Sequence, residues 1–439
     1  MPLTVLTNND VQDVLSTLTK EDIVELQGNL AEALHSYSTG DTNQNSGCCS
    51  SFQPQRTVIK KNGITTLFMP ASTGTSVGMK IVSLETPEAV SKKGSISSTS
   101  TKSSSKSIDS SMSGLTLTPA STMDSASTIS GASFVPPPSV ASSQSTAPKG
   151  TVTMLDTNGN PTGILNAEEL TAFRTALAAT FMLQKRQNVH TVTVFGAGKQ
   201  AYWHIRLALL LRGDDIRHVN IINRSFERTI HLMKSFQIAD DVKPQWRRDI
   251  KFSSLSPDFV EYGRLLKEEV RKADIIFCCT PSVEPLFPHE FLTSREGQKK
   301  GRYVSAIGSY APHMAELHPE VFKHAVSSGH HHHHHKHAQS EGVVIVDSLE
   351  GALKEAGEII QAKLKPEHLV EIGELIMIKK SVHRDIELGG QGEKGLLEWL
   401  TKGNVIYKSV GLGLMDLTVG GDIIRLAREK DIGTTISDF

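Results

Sequence analysis

The chain has 439 residues, and only 38% of them are hydrophobic, a low fraction for a protein of this length. The length favours more than one domain. The 46 basic and 47 acidic residues nearly cancel, so no overall field attracts nucleic acid or an anionic membrane. We therefore expect no nucleic-acid partner. The chain has no long apolar run and no signal-peptide pattern at the N-terminus, so we also expect no membrane association.

Two segments of unusual composition and two pairs of adjacent cysteines stand out. Of the 60 residues from Ser91 to Gly150, 28 are Ser or Thr, which predicts a disordered insertion at about 88–148. The run from His330 to His335 predicts a solvated His-rich loop at about 326–341, in preference to a transition-metal site or an inserted purification tag. We therefore expect no metal. The adjacent pairs Cys48-Cys49 and Cys278-Cys279 fit neither a disulfide framework nor a metal site, and they favour a reducing cytoplasm.

The first half of the chain shows helical and then β-rich patterns. Helical periodicity covers residues 11–37. Asn62-Gly63 separates two β-rich runs and predicts a hairpin with a primed turn. A further strand is expected at Met79–Leu84, and the sheet is expected to resume beyond the insertion at Thr151–Asp156. A helix is predicted from the N-cap Asn166, with Glu169 in the capping-box position, to about Leu183.

From residue 190 onward, strands alternate with helical stretches. This alternation implies a parallel sheet covered on both faces. The last helix is expected either to return to the first domain or to seal a dimer. The predicted strands are His190–Phe195, His218–Asn223, Ala273–Cys279, Tyr303–Ile307 and Val343–Val346, the first crossover helix is Gln200–Leu211, and the last helix is about Leu414–Lys430.

A glycine motif follows the strand that ends at Phe195 and opens the next helix. Gly196 permits a tight turn, Gly198 lets a pyrophosphate approach the backbone, and Ala201 allows the helix to pack close to the strand. The helix N-terminus offers free N–H groups to phosphate oxygens. The sequence therefore predicts a dinucleotide site formed by Gly196, Ala197, Gly198, Lys199, Gln200 and Ala201.

The next predicted strand ends in Asn223-Arg224-Ser225. An NAD enzyme is expected to carry Asp or Glu at this position, to bind the ribose hydroxyls. A guanidinium suits the 2′-phosphate of NADP in charge and geometry. These three residues are therefore expected to contact the cofactor, and NADP(H) is preferred over NAD(H), which stays possible.

With these motifs in place, the chain resembles the ornithine cyclodeaminase and mu-crystallin family. The resemblance implies an α/β fold, in which a Rossmann-type parallel-sheet dinucleotide domain is joined to a mixed α+β substrate and dimerisation domain formed by both chain ends. We place the substrate domain at residues 1–184 with 412–439, and the Rossmann domain at 185–411. The segments that carry the resemblance are Met69–Lys80, Leu170–Ala176, Gly196–Ala201, Ala306–Ser309 and Lys408–Asp416.

The resemblance also implies the site residues. Arg56, Lys80 and Arg174 match the cationic positions that hold the substrate carboxylate, and we assign them to both binding and catalysis. Helical spacing places Arg174 on an inward apolar face, where an internal salt bridge is the alternative partner. On pattern alone, Lys80 would be exposed. The resemblance further implies that the dinucleotide lies along Thr280, Pro281 and Ser282, with Ile307, Gly308, Val410 and Gly411 near the nicotinamide.

Tyr310 marks a departure from the ornithine-cyclising members, which carry an acid–base aspartate at this position. A tyrosine with a pKa near 10 cannot replace that base at neutral pH. The resemblance therefore implies an NAD(P)H-dependent reductase of ketimine or imino acids with a carboxylate, which runs in reverse as an amino-acid dehydrogenase, in a homodimer. Two alternatives stay open: an ornithine cyclodeaminase that converts ornithine to proline and ammonia with bound NAD, and a non-catalytic NADP(H)-binding protein.

Overall fold

Two β-sheets organise the chain in the computed structural model, which describes residues 2–40, 53–85, 148–237, 246–247, 249–327, 343–376 and 391–439. The strands, numbered in chain order, are β1 (Leu3–Leu6), β2 (Thr57–Lys61), β3 (Ile64–Ser72), β4 (Ser76–Glu85), β5 (Lys149–Asp156), β6 (Pro161–Asn166), β7 (Thr191–Phe195), β8 (His218–Ile222), β9 (Lys251–Leu255), β10 (Ile275–Cys278), β11 (Tyr303–Ala306), β12 (Val344–Val346), β13 (Leu369–Glu371), β14 (Val405–Lys408) and β15 (Thr434–Ile436).

The helices surround these sheets. They are α1 (Asn8–Ser16), α2 (Lys20–Thr39), α3 (Ala167–Ala179), α4 (Lys199–Arg212), α5 (Phe226–Lys234), α6 (Tyr262–Lys272), α7 (Glu290–Thr293), α8 (Arg295–Gln298), α9 (Pro319–Ser327), α10 (Leu349–Glu355), α11 (Gly357–Ala362), α12 (Gln391–Lys402) and α13 (Gly413–Glu429). Within the described ranges, no helix is long and apolar enough to cross a membrane.

The first sheet has seven strands in the order β15-β1-β6-β5-β4-β3-β2. Strands β2 to β6 pair antiparallel with one another in succession. Strand β1 runs parallel to β6 and antiparallel to β15. The two outermost segments of the described chain therefore share one edge of this sheet. The hairpin predicted at Asn62-Gly63 is confirmed, since both residues have positive φ (52° and 73°), as a type I′ turn requires.

Strands β4 and β5 are hydrogen-bonded neighbours although 63 residues, 86–148, separate them in the chain. Ser83 faces Lys149 across this pair, which confirms that the sheet resumes after the Ser/Thr-rich tract. The insertion predicted at 88–148 and the His-rich loop predicted at 326–341 lie outside the described residues, apart from residues 148, 326 and 327. Their disorder, and the two domain boundaries, remain predictions.

The second sheet contains eight strands in the order β13-β12-β14-β11-β10-β7-β8-β9, and every pairing in it is parallel. This confirms the expected parallel sheet of Rossmann type. After β7 the chain moves outward through β8 and β9, and it returns to β10 on the other side of β7. A reversal of this kind leaves a crevice beyond the carboxyl ends of β7 and β10, where such sheets bind ligands.

Two helix predictions differ from the structure. The periodic run at 11–37 forms two helices, α1 and α2, because Thr19 caps a new helix and shares a capping box with Asp22. Asn166 caps α3 as predicted, but Glu169 does not complete a capping box. Its carboxylate instead accepts hydrogen bonds from Trp203 (2.7 Å) and Lys199 (2.6 Å) on α4. Helix α3 also ends at Ala179, four residues earlier than expected.

The last long helix, α13, returns to the first sheet. This was one of the two arrangements expected for it, the other being a helix that seals a dimer. It packs against β3, β4 and β5 and against helices α2 and α3. Its apolar side is completely buried through Leu414, Met415, Val419 and Ile423. This packing places the start of α13 beside the inner surface of β4 and α3, which is where the cavity described below is found.

Candidate active site

A cavity of about 590 Å³ lies between the two sheets. One wall consists of the loops that follow β7, β10, β11 and β14 in the parallel sheet, and the opposite wall consists of β3, β4 and α3. The cavity therefore occupies the crevice that the strand order predicts. Twelve of the predicted site residues line it: Arg56, Lys80, Arg174, Ala197, Gly198, Lys199, Gln200, Pro281, Ile307, Gly308, Val410 and Gly411.

The other predicted residues do not line this cavity. Gly196, Ala201 and Thr280 lie next in sequence to residues that do. Ser282 donates a hydrogen bond to the carbonyl oxygen of Glu284. The group Asn223, Arg224 and Ser225 lies at the end of β8, as expected for a ribose-binding position.

Two of the cations share one buried carboxylate. Lys80 Nζ donates to Asp416 Oδ1 at 2.8 Å, and Arg174 Nε lies 3.2 Å from the same oxygen. Lys80 is 2% exposed and Asp416 is 0% exposed. The predicted inward orientation of Arg174 is confirmed. So is the internal ion pair, which the sequence analysis gave as the alternative to the substrate carboxylate as a partner of Arg174. Lys80, exposed on pattern alone, is buried because α13 covers the inner face of β4.

Burial shapes the electrostatics of these cations. It lowers the pKa of Lys80 to about 8, while the charge of Asp416 raises it and the charge of Arg174 lowers it further. Lys80 also donates to Thr171 Oγ1 at 2.7 Å. Burial likewise lowers the pKa of Arg56 to about 10, and its Nε donates to Glu355 at 2.6 Å. Since Lys80 and Arg174 share one carboxylate, the group formed by Lys80, Arg174 and Asp416 keeps a net positive charge.

The glycine loop has the geometry that close approach to a phosphate needs. Gly196 has φ of 113°, and a Cβ there would lie 2.9 Å from the carbonyl oxygen of Cys279. A Cβ at Gly198 would meet nothing within 4 Å, which leaves open space above the N-terminus of α4. The first N–H groups of α4 have no acceptor within the helix and can bind a pyrophosphate. The residues present therefore fit a dinucleotide.

The segment after β8 is arranged differently from the prediction. Ser225 Oγ accepts the N–H of Arg228 at 3.2 Å and so caps α5. Arg224 is exposed and does not line the cavity, whereas Arg228 and His231 on α5 do. Two arginines, one turn apart, are thus available near the predicted 2′-phosphate position, and the sequence analysis identified only the first.

Buried carboxylates hold the loops of the cofactor wall, and the sequence analysis missed them. Asp347 accepts the N–H of Gly411 at 2.7 Å and the hydroxyl of Ser409 at 2.6 Å. Glu316 accepts the N–H groups of Thr280 and Gly308. The only signal for Asp347 was an acid directly after a buried strand. Glu316 carried no signal at all, because it lies in an irregular segment. Asp416 belongs to the segment Lys408–Asp416, which carries part of the family resemblance, but the sequence analysis assigned it no role.

Tyr310 lines the cavity, and burial raises its pKa above 10. It therefore stays protonated at neutral pH and cannot act as a base. Among the described residues that line the cavity, Glu168 is the single acid, and its carboxylate lies 3.2 Å from Lys199 Nζ. The described ranges contain no cluster of His, Cys, Asp and Glu that could hold a metal ion.

Known proteins of similar sequence provide an independent comparison. No protein-family model matches the chain. It is 30% identical over 289 residues to the uncharacterized protein YGL159W of Saccharomyces cerevisiae, which covers 61% of this chain and 71% of that protein. It is 28% identical to the Delta(1)-pyrroline-2-carboxylate reductase of Bacillus cereus (63% and 70% covered) and 27% identical to the ketimine reductase mu-crystallin of Macropus fuliginosus (56% and 64% covered). The chain belongs to the ornithine cyclodeaminase and mu-crystallin family.

Two solved structures share the fold of this chain. An archaeal alanine dehydrogenase dimer with bound NAD superposes with a TM-score of 0.61 at 18% identity, covering 100% of both chains. The Thermococcus litoralis Delta(1)-pyrroline-2-carboxylate reductase, in complex with NADH and L-proline, also gives a TM-score of 0.61, at 17% identity, covering 99% of this chain and 100% of that one. At these identities the likeness shows that the chain has the same fold as these proteins.

The shared carboxylate generates a stability prediction. Asp416→Asn removes the one negative charge that Lys80 and Arg174 share, so two buried cations lose their counter-ion. We expect a loss of about 3–5 kcal/mol in the free energy of unfolding at pH 6. The loss should be smaller at pH 9, because Lys80 without Asp416 has a still lower pKa and escapes the repulsion by losing its proton. Urea denaturation at both pH values measures these losses.

The matched control for this test is Asp422→Asn on the same helix. Asp422 accepts a hydrogen bond from Asn29 at 2.9 Å and touches neither cavity cation. We expect a loss of about 1 kcal/mol for it, with no systematic change between pH 6 and 9. A loss for Asp416→Asn as small as that of the control, or one independent of pH, would contradict the shared counter-ion.

Proposed function

We propose that the protein is an NADP(H)-dependent reductase of imino acids, in which a C=N bond lies next to a carboxylate, and that it runs in reverse as an amino-acid dehydrogenase. One observation carries the proposal: a single cavity has the glycine loop of Gly196 and Gly198 on one wall and the cations Arg56, Lys80 and Arg174 on the other. A dinucleotide and an anionic substrate can therefore occupy it together. The relatives named as reductases of pyrroline-2-carboxylate and ketimines support this reaction class.

The cationic wall fits the substrate carboxylate. Lys80 and Arg174 bring two positive charges and Asp416 one negative charge, so a second anion restores neutrality. Lys80 has three N–H donors, of which Thr171 and Asp416 accept two. The third is left for a ligand. Arg56 adds a further cation, which its ion pair with Glu355 holds in position.

The reaction requires one hydride and one proton. When bound, the dinucleotide supplies the hydride, which forms the new C–H bond at the imine carbon as the C=N π bond breaks and its electrons move to nitrogen. Lys80 Nζ holds a proton that can pass to that nitrogen, and the amine product results. With a pKa of about 8, Lys80 is protonated at neutral pH yet releases its proton readily. The protein's further contribution is orientation within a partly water-excluded cavity.

The cavity gives less support to an ornithine cyclodeaminase. Such a reaction needs an acid–base group, and Tyr310, with its raised pKa, occupies the position expected for it. The side-chain ammonium of ornithine also needs a counter-ion, and the single described acid on the wall, Glu168, is paired with Lys199. We therefore favour substrates without a second ammonium group. A non-catalytic NADP(H)-binding protein would bind the dinucleotide but turn over no imino acid.

The proposal includes a homodimer. On the face of the first sheet opposite the cavity, Ile59, Ile64, Val77 and Met79 are all exposed. An apolar sheet face of this kind is typical of a protein–protein interface. A second copy of the chain is the partner we propose, and one structure of the same fold is described as a dimer. A cytoplasmic location, which the free thiols of Cys278 and Cys279 support, stays part of the proposal.

The substrate assignment predicts the effect of Arg174→Gln. With NADPH saturating and Δ1-pyrroline-2-carboxylate as the test imine, we expect kcat/KM to fall on the order of 10²- to 10³-fold, since a charged contact in a desolvated pocket is lost. The dissociation constant for NADPH should change less than threefold. The control is Arg425→Gln, which removes ion pairs to Glu25 and Glu429 at the surface and should leave both values unchanged. Unchanged kcat/KM in Arg174→Gln would overturn the carboxylate assignment.

The cofactor preference makes a separate prediction. Fluorescence titration should show that NADPH binds the wild-type protein more tightly than NADH. Arg224→Ala and Arg228→Ala should each weaken NADPH binding, by roughly 1.5–3 kcal/mol for a lost charged hydrogen bond, and should hardly affect NADH. Arg264→Ala is the control, because Arg264 is paired with Glu261 and Glu268 on a separate helix. Tighter binding of NADH by the wild-type protein would refute the NADP assignment.

A further inference from the structure

One carboxylate joins two loops of the cofactor wall. Glu316 is fully buried, and both of its oxygens accept backbone hydrogen bonds: Oε1 from the N–H of Thr280 at 2.8 Å, and Oε2 from the N–H of Gly308 at 2.6 Å. Thr280 follows β10 and Gly308 follows β11. The two loops are therefore fixed to each other by one side chain, although neither belongs to a helix or strand at that point.

A second buried layer immobilises Glu316 itself. Its own N–H donates to Glu358 Oε1 at 2.8 Å, and Glu358 also accepts the hydroxyl of Ser309 at 2.6 Å. Lys408 Nζ lies 3.5 Å from Glu358 and donates to the carbonyl oxygen of Ser309 at 2.8 Å. All of these charged groups are fully buried. This second layer thus fixes the backbone of Glu316, while the N–H groups of Thr280 and Gly308 fix its side chain.

The two loops approach as closely as their backbones allow. A Cβ at Gly308 would collide with the carbonyl oxygen of Thr280 and would lie 2.6 Å from Glu316 Oε1. Pro281, Ile307 and Gly308, next to the clamped N–H groups, line the cavity. The spacing between the two loops, and hence the shape of the cofactor wall, depends on the two hydrogen bonds that Glu316 accepts.

We propose that Glu316 is a positioning residue for the dinucleotide, which holds the loops after β10 and β11 at the separation that cofactor binding needs. The proposal rests on the function proposed above. Glu316 does not belong to the described lining of the cavity, so it acts through Thr280 and Gly308. The substrate wall, formed by other elements, is independent of it. Loss of the clamp should therefore weaken the dinucleotide and leave the substrate site intact.

Glu316→Gln tests this directly. The glutamine amide keeps one acceptor oxygen but turns an NH₂ group toward the other N–H, so one of the two bonds is replaced by a repulsive contact. We expect the dissociation constant for NADPH, measured by fluorescence titration, to rise on the order of 10- to 100-fold. The KM for the imine at saturating NADPH should stay within twofold. Titrations are run at pH 9, above the pKa of about 8 to which burial raises Glu316, so that the ionised carboxylate is compared.

Glu371→Gln is the matched control. Like Glu316, Glu371 is a buried carboxylate that accepts a backbone hydrogen bond, from the N–H of Leu349 at 2.6 Å, and it is the last residue of β13 in the parallel sheet. It does not line the cavity. This variant should lower Tm as Glu316→Gln does, with the dissociation constant for NADPH unchanged. If both variants weaken NADPH equally, general softening of the sheet explains the effect and the proposal is overturned.

Glu316→Asp provides a second variant in case the glutamine protein does not fold. Aspartate keeps the charge but is shorter by one methylene group, so it reaches at most one of the two N–H groups. We expect it also to weaken NADPH selectively. Wild-type affinity in every folded Glu316 variant would refute the positioning role alone, whereas a wild-type protein that binds neither NADPH nor NADH would refute the proposed function.

Discussion

The cavity depends first on the buried charge of Asp416. Its carboxylate joins Lys80 and Arg174, which lie 336 and 242 residues away in the chain, and so ties the last long helix to the first sheet and to α3. Two cations at one buried site would repel each other and lose their hydration. The shared anion makes their proximity tolerable and still leaves one positive charge unbalanced. The same interaction therefore stabilises the fold and creates an anion site.

The cofactor wall uses the opposite arrangement. There, buried carboxylates such as Asp347 and Glu316 accept backbone N–H groups from loops at the carboxyl ends of parallel strands. Loops have no ladder partners of their own, so their N–H groups need acceptors when they are buried. Side-chain acids supply them here. The open space at Gly198 and the free helix N-terminus behind it complete a wall suited to an anionic dinucleotide, opposite a wall suited to a carboxylate.

Local chemistry made much of this architecture predictable. The Asn62-Gly63 hairpin, the cap at Asn166 and the glycine loop after β7 each depend on a few consecutive residues, and each was found where it was expected. Glu169 was misassigned because a capping position cannot reveal that Trp203, on another helix, competes for the carboxylate. Asp416 and Glu316 could not be assigned roles from the sequence, since their partners are distant in the chain and only tertiary packing brings them together.

The central proposal is that one cavity brings a reduced dinucleotide and an imino acid into contact. The most direct measurement uses NADPH carrying deuterium at C4 of the nicotinamide, in both stereochemical forms, with Δ1-pyrroline-2-carboxylate as the imine. We expect one of the two forms to deliver a single deuterium to the carbon next to the carboxylate of the proline formed, with one NADPH consumed per product. Mass spectrometry and absorbance measure these two quantities. Proline formed from ornithine without net consumption of the cofactor, or NADPH that binds without ever transferring deuterium, would contradict it.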